Sequence, residues 1–446
     1  MDAAYFAQVA QTFAQFHARF AGLFGRREAQ ERSSQYLQGL IVQQTDRRNA
    51  ENVAEVIAGA TPRALQRFLS EAPWDDSAVI DKLQEVIAPL LAGPDAVFIL
   101  DDTGFPKQGT HSVAVQRLYS GTLGKVGNCQ VGVFLGYASA RGLALVDRAL
   151  FLPEQWSADR ARCAAAGVPE AVHHATKPTL GLALLAAARQ RGQLQSPWVT
   201  ADAGYGEVPT FRDALDADGW RYVLDVPSTT RVFLQASQAA VPTWSGRGRR
   251  PTRSQLVGGE PGAVSVAVVA ATVTDWETLT VALGAQGPRR YQFWRQRVWE
   301  CREGVPGSAR WLLLRRTEDG SELKYALSNA PLDTPLLTLA QVQAFRWPVE
   351  TGFQQYKGET GLDEYEVRSW RGWHHHTALA LVAGAFLLQV QQDWGGKGGR
   401  VDDPVGDARA AGIAAAAGVD GRRPLPPTRT DPGRQQQGQA GTRQAA

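Results

Sequence analysis

The sequence has few cysteines, no long apolar run and little net charge, and each shortage excludes a class of protein. The three cysteines, Cys129, Cys163 and Cys301, are far apart and form no CxxC pair. This spacing argues against a disulfide framework or a cysteine zinc site and favours a reducing compartment. No signal peptide and no apolar run of about eighteen residues occurs, so we expect a soluble, cytoplasmic protein that does not enter a membrane.

The charges are numerous but nearly balanced. The 446 residues include 47 Lys+Arg and 44 Asp+Glu, which gives a formal net charge of +3. A nucleic-acid-binding surface, if there is one, must therefore be a local patch of the molecule. The length predicts two to four structural units.

Two apolar stretches run directly into carboxylates. The residues Val97–Leu100 precede Asp101, Asp102 and a glycine-containing segment, and Trp198 and Val199 lead to Asp202 and an Ala-Gly-Tyr-Gly turn. We interpret both as buried strands that end in acid, and ligand sites gather where such strands end. For the first stretch, the alternative is that Asp and Thr only cap the turn that follows.

A third acidic residue lies on a predicted helix. Glu350 precedes Lys357 by seven residues, or two helical turns, so both lie on one face. Pro348 suits the first position of a helix, which would make Glu350 the third residue and allow it to be a structural cap. The functional alternative is a metal ligand, because two Asp at strand ends and a later Glu supply the hard oxygen atoms that Mg²⁺ needs for two-metal phosphodiester hydrolysis.

These stretches resemble the DDE transposases of bacterial insertion sequences, in the branch whose RNase H-like core is interrupted by a β-rich insertion. That family carries Tyr-x2-Arg-x3-Glu-x6-Lys, and Arg346, Glu350 and Lys357 stand at its spacings, with Gln343 in the Tyr position. The segments LDDTGFPK, TADAGYGE and GLDEYEVRSWRGWHHH also match. The resemblance extends over roughly residues 30–392.

The resemblance implies a reaction and its components. The metal ligands would be Asp102, Asp202 and Glu350, binding two Mg²⁺ or Mn²⁺ ions, although the general Asp-x-Thr form would select Asp101 instead of Asp102. Arg346 and Lys357 would neutralise phosphate oxygens near the scissile bond. The protein would cut double-stranded DNA at the inverted-repeat ends of its element and join them to target DNA. It would act in the bacterial nucleoid as a homodimer in the synaptic complex.

An alternative is a domesticated or inactive copy that binds DNA without cutting it. The substitution at Gln343 favours this alternative, whereas the presence of all three acids argues against it.

The predicted fold is α/β (α+β), a mixed RNase H-like sheet flanked by helices. Three strands followed by helix, strand, helix and strand give this arrangement between residues 95 and 226. The predicted domains are a helical region that helps to bind the transposon ends (1–90), the first part of the core (91–226), a basic β-rich insertion (227–330), the second part of the core with the Glu350 helix (331–392) and a disordered tail (393–446).

The insertion is the most basic part of the chain. Arg289–Arg316 contains eight arginines interleaved with aromatic residues, a pattern that offers phosphate contacts and stacking platforms. Candidate DNA contacts are Arg295, Arg297, Trp294 and Trp299, together with Lys107 in a loop of the core. The alternatives are a sheet with one aromatic and one charged face, and a solvated lysine. We also expect strand structure in Val264–Leu283 and a polar helix start, not a metal site, at His374–His376.

Overall fold

The computed structural model of the protein describes residues 3–42, 47–120, 124–284 and 287–394, with only the backbone described at 3–7, 119–120, 283–284, 347–348, 350 and 394. The predicted disordered tail lies almost wholly outside these residues. Its first residues, 393 and 394, form the end of a helix.

Helices occupy both ends of the described chain and the middle of the core. They are α1 (Ala3–Ala21), α2 (Arg27–Ile41), α3 (Ala50–Val56), α4 (Pro62–Ser70), α5 (Asp76–Leu91), α6 (Glu154–Ala158), α7 (Arg160–Ala165), α8 (Lys177–Arg191), α9 (Ala203–Gly206), α10 (Pro209–Ala217), α11 (Val266–Ala271), α12 (Leu336–Ala344), α13 (Arg346–Thr360) and α14 (Trp370–Trp394), with a 3-10 turn at Gly22–Phe24.

Strands fill the regions between them. They are β1 (Val97–Pro106), β2 (Gln116–Ser120), β3 (Lys125–Ser139), β4 (Gly142–Leu150), β5 (Trp198–Ala201), β6 (Arg221–Val226), β7 (Arg231–Phe233), β8 (Ala239–Ala240), β9 (Gln255–Leu256), β10 (Val264–Ser265), β11 (Glu277–Gly284), β12 (Gly287–Arg302), β13 (Val305–Arg316) and β14 (Leu323–Ser328).

The central strands have the RNase H-like order β4-β3-β1-β5-β6. Strands β1, β3 and β4 are antiparallel to one another, whereas β5 and β6 run parallel to β1. Parallel strands require crossovers, which α8 and α10 supply. The predicted mixed α/β fold is confirmed.

The helix α8 shows how the local sequence defines one of these crossovers. The side chain of Thr176 accepts a hydrogen bond from the N–H of Thr179, and a proline stands in the first turn. Gly192 ends the helix in the left-handed conformation, with a φ of 71°. The threonine cap and the left-handed glycine therefore set the two ends of the helix.

Most strands of the insertion join the sheet of the core, and of the described strands only β8 and β9 form a separate two-stranded sheet. Strand β14 pairs with β6, and the order continues through β13, β12, β7 and β10, so core and insertion share one mixed sheet. The predicted strand structure of residues 264–283 is only partly correct. Val266–Ala271 is a helix, because the Ser265 hydroxyl caps it and its apolar side packs into a small core with Val232 and Val298.

The β1 strand is longer than the sequence predicted. The carboxylates Asp101 and Asp102 were expected at its end, but the strand continues to Pro106, and Gly104 pairs with Val131 of β3. It is the neighbouring strand β5 that ends, at Ala201. The carboxylates therefore lie where β5 terminates and β1 continues alone against β3.

The N-terminal helices and the long helix α14 share one hydrophobic core with the sheet. The three consecutive histidines of α14 are part of it and do not form a polar helix start. His376 contacts the Tyr36 hydroxyl at 2.8 Å, His375 stacks on Trp74 with the ring centroids 3.6 Å apart, and His374 contacts the carbonyl of Trp370 at 2.9 Å. Burial lowers their pKa values to about 4 for His374 and His375 and about 3 for His376.

Candidate active site

Two carboxylates stand side by side in the centre of the sheet. In the parallel pair of β1 and β5, Leu100 is aligned with Ala201, so the next residues, Asp101 and Asp202, are neighbours. Adjacent strands lie roughly 4.8 Å apart. The register of β1 and β5 therefore places Asp101 next to Asp202, as the sequence predicted for the β1 acid.

The pleat of β1 points its two acids to opposite faces of the sheet. Leu100 and Asp102 face α8, where Asp102 Oδ2 accepts a hydrogen bond from Lys177 Nζ at 2.8 Å. Ile99 faces the helix that carries Glu350, because an added Cβ at Gly136 would lie 3.5 Å from Ile99 Cβ and 3.4 Å from Val349 Cγ2. Side chains two residues apart share a face. Asp101 therefore points toward α13.

Both acids of β1 have raised pKa values. Burial raises the pKa of Asp101 to about 7, with the negative charge of Asp202 as the next cause, and the positive charge of Arg346 opposes the shift. Burial also raises the pKa of Asp102, but Lys177 opposes that shift. Clustered carboxylates with raised pKa values are typical of functional sites.

Asp202 also has a structural role. Its side chain accepts hydrogen bonds from the N–H groups of Gly204 at 3.0 Å and Tyr205 at 3.4 Å, and so caps the short helix α9. Asp202 is thus a helix cap, a role that the sequence analysis did not predict. Capping does not exclude a ligand role, because a carboxylate has about four lone-pair sites.

The helix α13 passes in front of this pair. It begins at Arg346, so Glu350 is its fifth residue and not the third, as the capping interpretation required. The side chain of Glu350 lies outside the described residues. Two turns later, Lys357 Nζ donates to the carbonyl of Gly104 at 3.3 Å and lies 5.6 Å from the Phe105 ring.

Arg346 and Gln343 meet at an acid that the sequence analysis did not identify. Asp225, on β6, pairs with Arg346 Nε through Oδ2 at 3.0 Å and accepts a hydrogen bond from Gln343 Nε2 through Oδ1 at 2.9 Å. Its sequence, Tyr-Val-Leu-Asp-Val, repeats the pattern of a buried strand leading to an acid. That pattern could have revealed it. Lys177 was also missed, and its sequence carries no comparable signal.

Lys107 lies beyond the carboxylates, against the segment after α13. Its Nζ donates to the carbonyl of Tyr365 at 3.0 Å and lies 3.4 Å from the centre of that ring. Burial lowers its pKa to about 8, and burial also lowers the pKa of Lys357. Lys107 is therefore tied to the fold, unlike the solvated loop lysine of the alternative interpretation.

The donors at this site suit a divalent cation. Asp101 and Asp202 offer hard oxygen atoms, and a cation would relieve the repulsion that helps to raise the pKa of Asp101. The hydroxyl of Tyr205 is close enough for the charges of Asp102, Asp101 and Asp202 to affect it, and it is buried with no hydrogen-bond partner in the described part of the chain. Among the described side chains, no group of three or more His, Cys, Asp or Glu is arranged to hold a metal ion.

The candidate DNA contacts of the insertion are partly engaged in the fold. Arg295 donates to the carbonyl of Thr334, and Arg295 and Arg297 lie 4.4 Å and 5.5 Å from the Trp311 ring centre. Trp294 packs against the small core of the insertion, and Trp299 is half-buried on β12.

Other arginines of this stretch neutralise buried acid. Glu300 has 2% of its side chain exposed and bonds to Arg212 of α10 at 2.9 Å and to Arg310 at 2.6 Å. Arg302 Nη2 also pairs with Glu300 Oε2, at 2.5 Å. These ion pairs fasten the insertion to the core, which lowers the charge available for DNA.

Within the described residues, no helix is long and apolar enough to cross a membrane. A stretch of 106 residues is 31% identical to a protein of Microchaete diplosiphon named "Probable transposase for insertion sequence element IS701", covering 23% of this chain and 28% of that protein. The chain thus matches less than a third of the length of this relative.

A broader match covers most of the N-terminal helices, the carboxylate strands and much of the insertion. Residues 19–288, more than half of the chain, match the family described as DDE superfamily endonuclease. The match includes Asp101, Asp102 and Asp202 and ends before α13. The chain belongs to the DDE superfamily of endonucleases.

Proposed function

We propose that the protein is an insertion-sequence transposase that cuts DNA at the ends of its element and joins the new 3′ ends to target DNA. The observation that carries the proposal is the alignment of Asp101 with Asp202, facing the helix that bears Arg346 and Lys357. The partial match to a protein named as a transposase supports the same class.

We propose Asp101 as the β1 metal ligand, in place of Asp102. Asp101 shares a face with α13 and is close enough to Arg346 for its charge to affect the pKa of Asp101, whereas Asp102 is paired with Lys177 on the opposite face. The charge of Asp202 raises the pKa values of both acids and does not distinguish them. Together with Glu350, Asp101 and Asp202 would hold Mg²⁺ or Mn²⁺, expected as two ions. When bound, such ions activate the attacking oxygen and stabilise charge on the leaving oxygen.

The cationic side chains have a separate task. Arg346 and Lys357 lie on the helix that faces the carboxylates, where they can neutralise the phosphate oxygens that the acids would otherwise repel. Water attacks the scissile phosphorus and the DNA 3′ oxygen leaves. That 3′-OH then attacks a target phosphodiester, so that each step forms one P–O bond and breaks one. No side chain needs to form a bond with DNA.

The test is a nicking assay on a labelled duplex that carries the terminal repeat of the element. We expect a nick at the repeat boundary in Mg²⁺ and none in EDTA, with loss of nicking in Asp202→Asn. Asp147→Asn is a matched control, because Asp147 is a buried strand acid on β4, which β3 separates from β1, and it pairs with Arg191 of α8 at 2.6 Å. Loss of nicking in both variants would indicate misfolding.

The same assay separates the alternative function. Binding of the repeat with no nicking by the unaltered protein in either Mg²⁺ or Mn²⁺ would indicate an inactive copy that binds DNA. Native gel analysis of the DNA complex would test the proposed homodimeric synaptic assembly, which requires two ends in one complex.

A further inference from the structure

A third acid stands in the same row as the two proposed metal ligands. Ala201 of β5 is aligned with Leu224 of β6, so Asp202 and Asp225 are neighbours in the same way as Asp101 and Asp202. Three adjacent parallel strands therefore present an aspartate at the same level. Across two strands, Asp101 and Asp225 are roughly 10 Å apart.

The third acid differs from the other two because each of its carboxylate oxygens bonds to a side chain. One oxygen bonds to Arg346 Nε at 3.0 Å and the other to Gln343 Nε2 at 2.9 Å. The side chain of Asp225 is 11% exposed and that of Arg346 is 17% exposed, so solvent weakens their attraction little. This acid is a counter-ion for arginine in this arrangement.

The backbone of Asp225 is also closely confined. A Cβ added to Gly206, in the helix that Asp202 caps, would lie 1.9 Å from the carbonyl oxygen of Asp225. The turn after Asp202 therefore rests directly on β6. The contact with Gly206 restricts the backbone of Asp225, and the bonds to Arg346 and Gln343 restrict its carboxylate.

Arg346 spans the distance between the ends of this row. Its Nε faces Asp225, whereas its charge opposes the pKa shift of Asp101. A guanidinium is planar, so a bond at Nε fixes the direction in which its Nη groups point. Gln343 stands where the family signature has Tyr, and it donates to the same carboxylate.

We propose that Asp225 is a positioning residue that orients Arg346 toward the scissile phosphate, with Gln343 holding the second oxygen of the carboxylate. The proposal rests on the proposed function. Asp225 contacts no reacting atom and acts only through Arg346. It therefore affects the rate of cutting more than the affinity for DNA.

The test is a double-mutant cycle on single-turnover nicking. Asp225→Asn removes the negative charge that pairs with Arg346 and replaces one acceptor oxygen by a donor NH2 group. Because a hydrogen bond to a charged group is lost, we expect nicking to slow by about 10- to 100-fold, with repeat binding in EDTA changed less than about threefold. In an Arg346→Gln background, the same substitution should cost less than about twofold.

The possible outcomes separate failure of the positioning role from failure of the proposed function. Full additivity of the two substitutions, or an equal loss of binding and rate, would overturn the positioning role. If the protein with no substitution does not nick, or Asp202→Asn still nicks, the proposed function itself fails. Asp147→Asn, as a matched buried acid, should show no coupling to Arg346→Gln.

A second variant covers the case in which Asp225→Asn does not fold. Asp225→Glu keeps both acceptor oxygens but moves them by one methylene. We expect it to slow nicking measurably in the normal background and to have no further effect in Arg346→Gln. A rate equal to that of the unsubstituted protein, or a loss that persists in the Arg346→Gln background, would also overturn the proposal.

Discussion

Replacing Asp101 by Asn should make the protein more stable and inactive at the same time. The substitution keeps the side chain's shape, and its oxygen can still accept the hydrogen bond from the N–H of Asp102, at 2.8 Å. It removes the charge that burial and Asp202 disfavour. It also removes a proposed metal ligand, so nicking should fall by orders of magnitude.

The size of the stabilisation follows from the pKa of Asp101. A carboxyl whose pKa rises from 3.8 to about 7 on folding destabilises the fold above pH 7 by at most about 4 kcal/mol. The folded state binds the proton more tightly, so this cost grows as pH rises from 3.8 to about 7 and is constant above it. A buried, unpaired Asn amide costs about 1–3 kcal/mol, which leaves a net gain of about 1–3 kcal/mol.

Thermal unfolding at two pH values, combined with the nicking assay, measures both effects. Asp101→Asn should unfold at a higher temperature than the unsubstituted protein at pH 8, and the difference should narrow at pH 5. Mg²⁺ should raise the unfolding temperature of the unsubstituted protein and have less effect on the variant, because a ligand stabilises the state that binds it.

Asp102→Asn is the matched control, because it changes the next residue of the strand on the opposite face. It breaks the pair with Lys177, and we expect it to nick within about tenfold of the normal rate, since such a partly exposed pair contributes about 1 kcal/mol. Abolished nicking in Asp102→Asn together with active Asp101→Asn would refute the assignment by faces. A destabilised Asp101→Asn at pH 8 would refute the electrostatic reasoning.

Three other predictions concern the buried histidines, Gly206 and the arginines of the insertion. The histidines His374–His376 have pKa values below 6.5 in the fold, so the unfolded chain binds more protons than the folded chain as pH falls from 6.5 toward 4. The free energy of unfolding should therefore decline by up to about 4 kcal/mol per pH unit in this range, partly offset by the protonation of buried acids. A free energy of unfolding in urea that does not change with pH would contradict this prediction. Gly206→Ala forces a Cβ to 1.9 Å from the Asp225 carbonyl oxygen, so it should cost about 1–3 kcal/mol and slow nicking, whereas unchanged unfolding would show that the turn can move. Replacing Arg295 and Arg297 by Ala should flatten the dependence of DNA binding on log salt by up to about two units; an unchanged slope would assign both residues to folding alone.

The residue types and spacings of the sequence were enough to predict that a β1 acid and Asp202 lie together. Apolar runs before Asp101 and Asp202, and the Arg346, Glu350 and Lys357 spacing, are local patterns that chemistry requires whatever the fold around them. The RNase H-like order also followed from the succession of strands and helices. Short connections leave few topologies for such a succession.

Other features were decided only by the tertiary structure, because they depend on which segments become neighbours. The choice between two adjacent acids is a matter of strand pleat, and it required α8 and α13 to be located on opposite faces. Asp225 is 118 residues from Gln343, so no local pattern joins them. The arginines of the insertion looked alike in the sequence, yet Arg310 became the partner of a buried Glu300, because burial of a charge requires an opposite charge beside it.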